Sequence, residues 1–91
     1  MKTEVVIREE VRDYLRTLAP ETRRRARAAL AALPLGDTKP LREELAGLHR
    51  LRVGSHRFIY RHHAGRIRVF YAAPRSIVYE FLSAHLREFL G

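Results

Sequence analysis

Residues 49–71 read HRLRVGSHRFIYRHHAGRIRVFY, and their spacing decides the fold. Leu51 and Val53 alternate with Arg50 and Arg52, and Phe58 and Tyr60 alternate with Arg57, Ile59 and Arg61. Ile67, Val69 and Tyr71 alternate with Arg68 and Phe70. A period of two is that of a strand with two unlike faces. Gly54–Ser55 and Ala64–Gly65 interrupt it twice, each time with residues suited to a tight turn. The stretch predicts a three-stranded antiparallel meander.

Outward from the meander the period becomes helical. Glu4 to Ile7 reads as a short strand, after which Val11, Tyr14, Leu15 and Leu18 fall at i, i+3, i+4 and i+7. Pro20 suits a first helical position and Glu21 a first turn. Ala26, Ala29, Leu30 and Leu33 continue the stripe until Pro34 and Gly36 stop it. These two helices are expected to form a hairpin. Leu35 to Ala46, with Gly36, Asp37 and Pro40, reads as a connector with at most one helical turn. Downstream, Ser76 to Leu90 carries Ile77, Val78, Phe81, Leu82, Leu86, Phe89 and Leu90 at helical spacing. The order strand, helical hairpin, three-stranded meander, C-terminal helix predicts one α+β domain over residues 1–91, with helices on one face of a small sheet.

Composition narrows the function classes. A chain of 91 residues with 46% hydrophobic content has room for one core. A domain of this size buries only about 60 to 65% of the surface its unfolded chain exposes, which favours a protein stabilised by a partner. With no cysteine there is no disulfide or thiolate chemistry, and a metal site would rest on histidines and carboxylates. Met1 to Arg8 holds no long apolar run, so neither a signal peptide nor a membrane span is expected, and a cytoplasmic address is the default.

Lys and Arg outnumber Asp and Glu by 18 to 10, for a net charge of +8. That excess attracts polyanions, whether nucleic acid, acidic protein or anionic membrane surface. Its position is more telling than its sum. From Gly47 to Val78 the chain carries Arg50, Arg52, Arg57, Arg61, Arg66, Arg68 and Arg75 and no Asp or Glu. The second cluster, Arg23-Arg24-Arg25 with Arg27, reads either as the solvated face of the second helix, opposite Ala26, Ala29 and Leu30, or as a contact for RNA or an acidic partner.

The run from Leu45 to Arg61, LAGLHRLRVGSHRFIYR, contains Leu51, Arg52, Val53, Gly54, two further residues, then Arg57, Phe58, Ile59 and Tyr60. This pattern, followed by Arg75 and Tyr79, resembles the central signature of the RelE/ParE toxin superfamily, and the element order of nearly the whole chain is similar to that family. The resemblance implies a toxin of a type II toxin-antitoxin system, held in check by a cognate antitoxin, with a homodimer or a toxin-antitoxin hetero-oligomer as the assembly. Two branches are implied. RelE-like members cut mRNA on the ribosome, whereas ParE-like members poison DNA gyrase without being enzymes; a silent relative that only binds its antitoxin is the third case. Matched residue by residue, Arg50 and Arg52 take the positions of the paired basic residues. Arg57 takes that of the third-strand arginine, and Arg75 with Tyr79 that of the late pair. Arg61 extends the basic strand expected to bind RNA. Two departures stand out. Arg75 and Tyr79 are closer together than in the cleaving members, and Arg50 and Arg52 stand where lysine is common, although arginine is a poor general base.

The chemistry implied by the RelE-like branch suits these residue types. Cleavage of RNA by its own 2′-hydroxyl needs that oxygen activated, the phosphate charge stabilised and the leaving 5′-oxygen protonated. Guanidinium forks hold phosphate oxygens at two points, which makes Arg57 and Arg75 the candidates for charge stabilisation and Tyr79 the candidate for proton transfer. Tyr79 reads equally well as a half-buried tyrosine packed on the sheet. His49, His56, His62, His63 and His85 offer a conventional acid-base alternative, with His56, next to Arg57, the best placed. No metal or other cofactor is expected. The C-terminal helix is expected to belong to the core, to a dimer surface, or to a groove that accepts an amphipathic antitoxin segment.

Overall fold

The computed structural model describes residues 3–84. The elements run β1 (Glu4–Ile7), α1 (Glu9–Arg16), α2 (Pro20–Ala31), β2 (Thr38–Pro40), a 3-10 turn (Glu43–Leu45), β3 (His49–Val53), β4 (His56–His63), β5 (Arg66–Pro74) and α3 (Val78–Ala84). The strands form one sheet in the order β1-β5-β4-β3-β2. β3, β4 and β5 are the expected antiparallel meander, and β1 joins its outer edge parallel to β5.

Both hairpins rest on the turn chemistry read from the sequence. Gly54 has φ +59°, and Ala64 and Gly65 have φ +50° and +77°. Two successive left-handed residues suit the tight turn whose twist matches the flanking strands. Ala64 takes that conformation at a steric cost that a glycine would not incur.

Two features differ from expectation. The segment expected to be a connector contributes β2, whose Thr38 and Pro40 lie opposite Leu51 and His49 on β3, so the sheet has five strands. Three residues ending in proline are too few to show a period, and proline is tolerated there because β2 is an edge strand. The helices also lie on both faces. Val11, Leu15, Ala26 and Leu30 of the hairpin pack with Leu51, Val53, Phe58, Tyr60, Ile67 and Val69 on one face. Val78 and Leu82 of α3 pack with Leu48, Ile59, Phe70 and Ala73 on the other. Ile59 lies between Phe58 and Tyr60 in sequence and belongs to the second cluster, as alternation along a strand requires. A register shift at Ile59/Tyr60 places an extra residue on β5 there. Leu86, Phe89 and Leu90 of the expected C-terminal stripe lie outside the described residues.

α1 is anchored at both ends. Glu9 and Glu10 occupy its first turn, where the helix dipole favours acids. At its other end Arg23 of α2 reaches back: Nε donates to Leu15 O at 3.1 Å, and Nη2 donates to Leu18 O at 2.9 Å and to Arg16 O at 3.3 Å. The side chain gives donors to Arg16 O and Leu18 O at and beyond the helix end, and a second donor to Leu15 O, which also accepts from the Leu18 N–H at 3.1 Å. One member of the sequence's arginine cluster is thus a structural link between the helices. Arg23→Ala is expected to lower unfolding free energy by about 1–2 kcal/mol, read as a fall in the urea midpoint at unchanged slope. A loss below about 0.3 kcal/mol would show that water replaces the guanidinium without penalty.

Tyr14 ties α1 to the sheet. Its hydroxyl lies 2.6 Å from Nδ1 of His56, and its ring meets Phe58 edge-on at a centroid distance of 6.2 Å. Burial, and then Tyr71 nearby, raises the Tyr14 pKa. Further along the same face His49 stacks on Tyr60 at 5.2 Å, and burial, with His62 secondary, holds the His49 imidazole below its usual pKa.

Candidate functional site

On the face opposite the helical hairpin, beside α3, a cavity of about 500 Å³ is lined by Lys39, Pro40, Leu41, Arg42, Arg50, Arg52, Arg57, Arg75 and Tyr79. Six of these nine side chains are cationic and none is acidic. Cross-strand register assembles them. Arg52 lies directly opposite Arg57, and Arg50 opposite Lys39. Like charges in facing positions repel, so this part of the sheet is built at an electrostatic cost that a bound anion would remove.

Each side chain is held differently. Arg57 is only 7% exposed. Its Nη1 donates to Gly54 O at 2.9 Å and to His56 O at 3.1 Å, so the side chain both borders the cavity and ties down the β3–β4 turn. Arg75 follows β5, and its backbone N–H donates to Ser55 O at 2.8 Å, which brings the start of the last loop to that same turn. The Arg75 side chain remains exposed. Tyr79 stands in the first turn of α3, next to Val78, which with Leu82 anchors that helix on the sheet; the phenol is 38% exposed at the cavity.

Of the residues singled out in the sequence, Arg50, Arg52, Arg57, Arg75 and Tyr79 come together around this cavity. Arg61 does not. It lies further along β4, opposite Arg68 on β5, and is absent from the cavity wall. The histidine alternative loses its best member, because His56 is engaged with Tyr14 of the helical hairpin, whose face of the sheet is opposite the cavity. His49 stacks on Tyr60 of the hairpin-side core, His62 and His63 lie at the far end of β4, and His85 lies outside the described residues. Among the described residues no group of three or more His, Asp or Glu is placed to hold a metal ion, and no helix is long and apolar enough to cross a membrane.

Lys39, Arg42 and Asp37 were missed in sequence. All three fall in the supposed connector, and only the pairing of β2 with β3 reveals them. Asp37 accepts from Arg52 Nε at 2.5 Å and from Arg50 Nη1 at 3.4 Å. The hydrogen bond from Arg52, aided by both positive charges, holds Asp37 below the usual carboxylate pKa. With the folded value below the unfolded one, this pair's contribution is present above the unfolded pKa and is lost as pH falls through the folded value. Asp37→Asn is therefore expected to lack part of the stability loss that the wild type suffers below about pH 4. Identical acid-denaturation profiles for the two proteins would contradict it.

No protein-family model matches the chain, and neither does any curated protein. Solved structures do match. A chain of the RelBE2 toxin-antitoxin complex from Mycobacterium tuberculosis is 26% identical, with a TM-score of 0.70 over 82% of this chain and 100% of its own. A chain of the RelE-RelB complex from Pyrococcus horikoshii OT3 is 28% identical, with a TM-score of 0.66 over 82% and 97%. The chain belongs to the RelE/ParE toxin superfamily. The YoeB/ParE toxin from Agrobacterium tumefaciens, 21% identical with a TM-score of 0.57 over 79% of this chain and 98% of its own, shares the fold. Within the superfamily fold the Leu51–Tyr60 signature acquires a physical meaning. Gly54 makes the turn, Arg57 ties it, Phe58 and Tyr60 fill one core, and Ile59 fills the other.

Proposed function

We propose that this chain is the toxin of a type II toxin-antitoxin system and acts as a ribosome-dependent mRNA endonuclease, neutralised by a cognate antitoxin. The observation that carries this reading is the acid-free cavity in which Arg50, Arg52, Arg57, Arg75 and Tyr79 converge. A backbone phosphate is the anion whose geometry guanidinium forks match at two points.

In this reading the RNA strand lies along β3, with Lys39, Arg42, Arg50 and Arg52 holding its phosphates. The 2′-oxygen attacks the adjacent phosphorus, a 2′,3′-cyclic phosphate forms, and the 5′-oxygen leaves. Arg75, exposed at the rim, and Arg57, fixed by the turn, stabilise the charge that builds on the non-bridging oxygens. The 2′-oxygen loses its proton as it attacks and the 5′-oxygen gains one as it leaves; Tyr79 transfers the proton at one of these oxygens and water exchanges it at the other. No step uses a metal.

The antitoxin reading rests on neighbours that are themselves toxin-antitoxin complexes. A second hollow, beside edge strand β1, is lined by Val5, Ile7 and Leu15 and by Arg12, Arg16 and Arg27. An acidic amphipathic segment has the chemistry to cover it.

Induction of the chain in growing cells, followed by mapping of mRNA 5′ ends, tests the proposal. Cuts within translated frames are expected, absent with Arg75→Ala. Growth arrest with intact mRNA and broken DNA would replace this reading by gyrase poisoning.

A further inference from the structure

Asp37 stands immediately before β2, opposite Arg52 on β3. The arginine's backbone N–H donates to Asp37 O at 2.9 Å. On the cavity side the same residue meets two guanidinium groups. Its carboxylate accepts from Arg52 Nε at 2.5 Å and from Arg50 Nη1 at 3.4 Å, and its backbone oxygen takes a further 3.4 Å contact from Arg50 Nη1. Among the described residues, the ion pairs made by cations of the cavity both go to Asp37. Asp37 itself is not part of the cavity wall.

We propose that Asp37 is a positioning residue for the phosphate site: it grips one edge of each guanidinium from outside the cavity, so that the remaining N–H groups of Arg50 and Arg52 form a paired fork for an RNA backbone phosphate. The inference rests on the mRNA-cleaving reading and deepens it. A guanidinium offers five N–H donors in one rigid plane, so fixing one edge fixes the direction of the others. Arg52 spends Nε on Asp37 and keeps its two terminal nitrogens, while Arg50 spends Nη1 and keeps Nε and Nη2. Without the carboxylate, Arg50, whose side chain is only 14% exposed, would face Lys39 with no counter-charge, and Arg52 would face Arg57 in the same condition. Repulsion would then turn both forks away from the common target. The arrangement has a counter-effect: one negative charge beside the site weakens its attraction for RNA.

Geometry and charge therefore make opposite contributions, and two substitutions separate them. Asp37→Ala removes both the acceptor and the charge; Asp37→Asn removes the charge and keeps an acceptor. Neither touches the backbone bond from Arg52 N to Asp37 O, so the β2–β3 pairing should persist, which circular dichroism and melting would verify.

Single-turnover cleavage on mRNA-programmed ribosomes, across a range of toxin concentrations, is measured beside binding of a short single-stranded RNA at several salt concentrations. Asp37→Ala is expected to lower the plateau cleavage rate about tenfold without raising the half-saturating concentration, as a misaligned site does, and Asp37→Asn to recover most of that rate. Both variants should steepen the plot of log affinity against log salt by about 0.7, the increment for one further neutralised phosphate on a single strand. A folded Asp37→Ala protein that cleaves at the wild-type plateau rate overturns the positioning role and leaves the RNA reading standing. A wild-type protein that neither binds nor cleaves RNA removes both.

Discussion

Replacing Arg75 by alanine is expected to slow mRNA cleavage by roughly 10²- to 10³-fold, the effect of deleting one preorganised charge-stabilising donor from a site where negative charge develops. The fold should not register the change. Arg75 is held by its backbone N–H on Ser55 O, and its side chain is exposed. The melting temperature should therefore move by no more than about 3 °C, as for other surface substitutions. Arg57 allows no such clean test. Its guanidinium is bonded to the carbonyls of Gly54 and His56, and Arg57→Ala would leave part-buried acceptors without a donor, at about 1–3 kcal/mol. A loss of toxicity in that variant would mix chemistry with unfolding, whereas the same loss in Arg75→Ala at unchanged stability speaks for chemistry. Primer extension on a translated message and a melting curve on the same two proteins provide the measurement. Wild-type cleavage by Arg75→Ala would take Arg75 out of the mechanism.

Phe58→Ala is expected to cost about 3–5 kcal/mol, the largest stability effect of any change considered. The ring is fully buried between the helical hairpin and the sheet, and Tyr14 packs its edge against it. Removing it leaves a cavity where α1, β4 and β5 meet. A domain of this length has a total stability on the order of 5–14 kcal/mol, so the variant should be substantially unfolded near physiological temperature unless a partner supports it. Urea unfolding should show the loss as a lowered midpoint at unchanged slope. Ile59→Val, in the opposite core cluster, removes one methylene and should cost only about 1 kcal/mol. A loss below about 1 kcal/mol for Phe58→Ala would mean that the core closes over the gap, contrary to the close packing on which the expectation rests.

The helical hairpin and the meander were legible because their signals are local. Val11, Tyr14, Leu15 and Leu18 repeat with the helical period, and Leu51, Val53, Phe58 and Tyr60 repeat with the strand period. The turns at Gly54–Ser55 and Ala64–Gly65 carry their own conformational preference. β2 was illegible because three residues hold no period, and its register partners on β3 lie nine to thirteen residues away. The same gap hid Asp37, Lys39 and Arg42. Nothing local to these residues distinguishes a site from a connector.

What the sequence determined by itself, then, is the order of the elements other than β2, the basic acid-free stretch from Gly47 to Val78, and the signature from Leu51 to Tyr60. These follow from spacing, charge and turn chemistry, which act over a few residues. Only the tertiary structure decided which arginines share a cavity, that α3 covers the face opposite the hairpin, that His56 serves Tyr14, that Arg61 stands apart, and that Asp37 grips Arg50 and Arg52. Those outcomes depend on strand register and on which face each strand presents. A shift of one residue in register would turn every side chain of a strand to the other face.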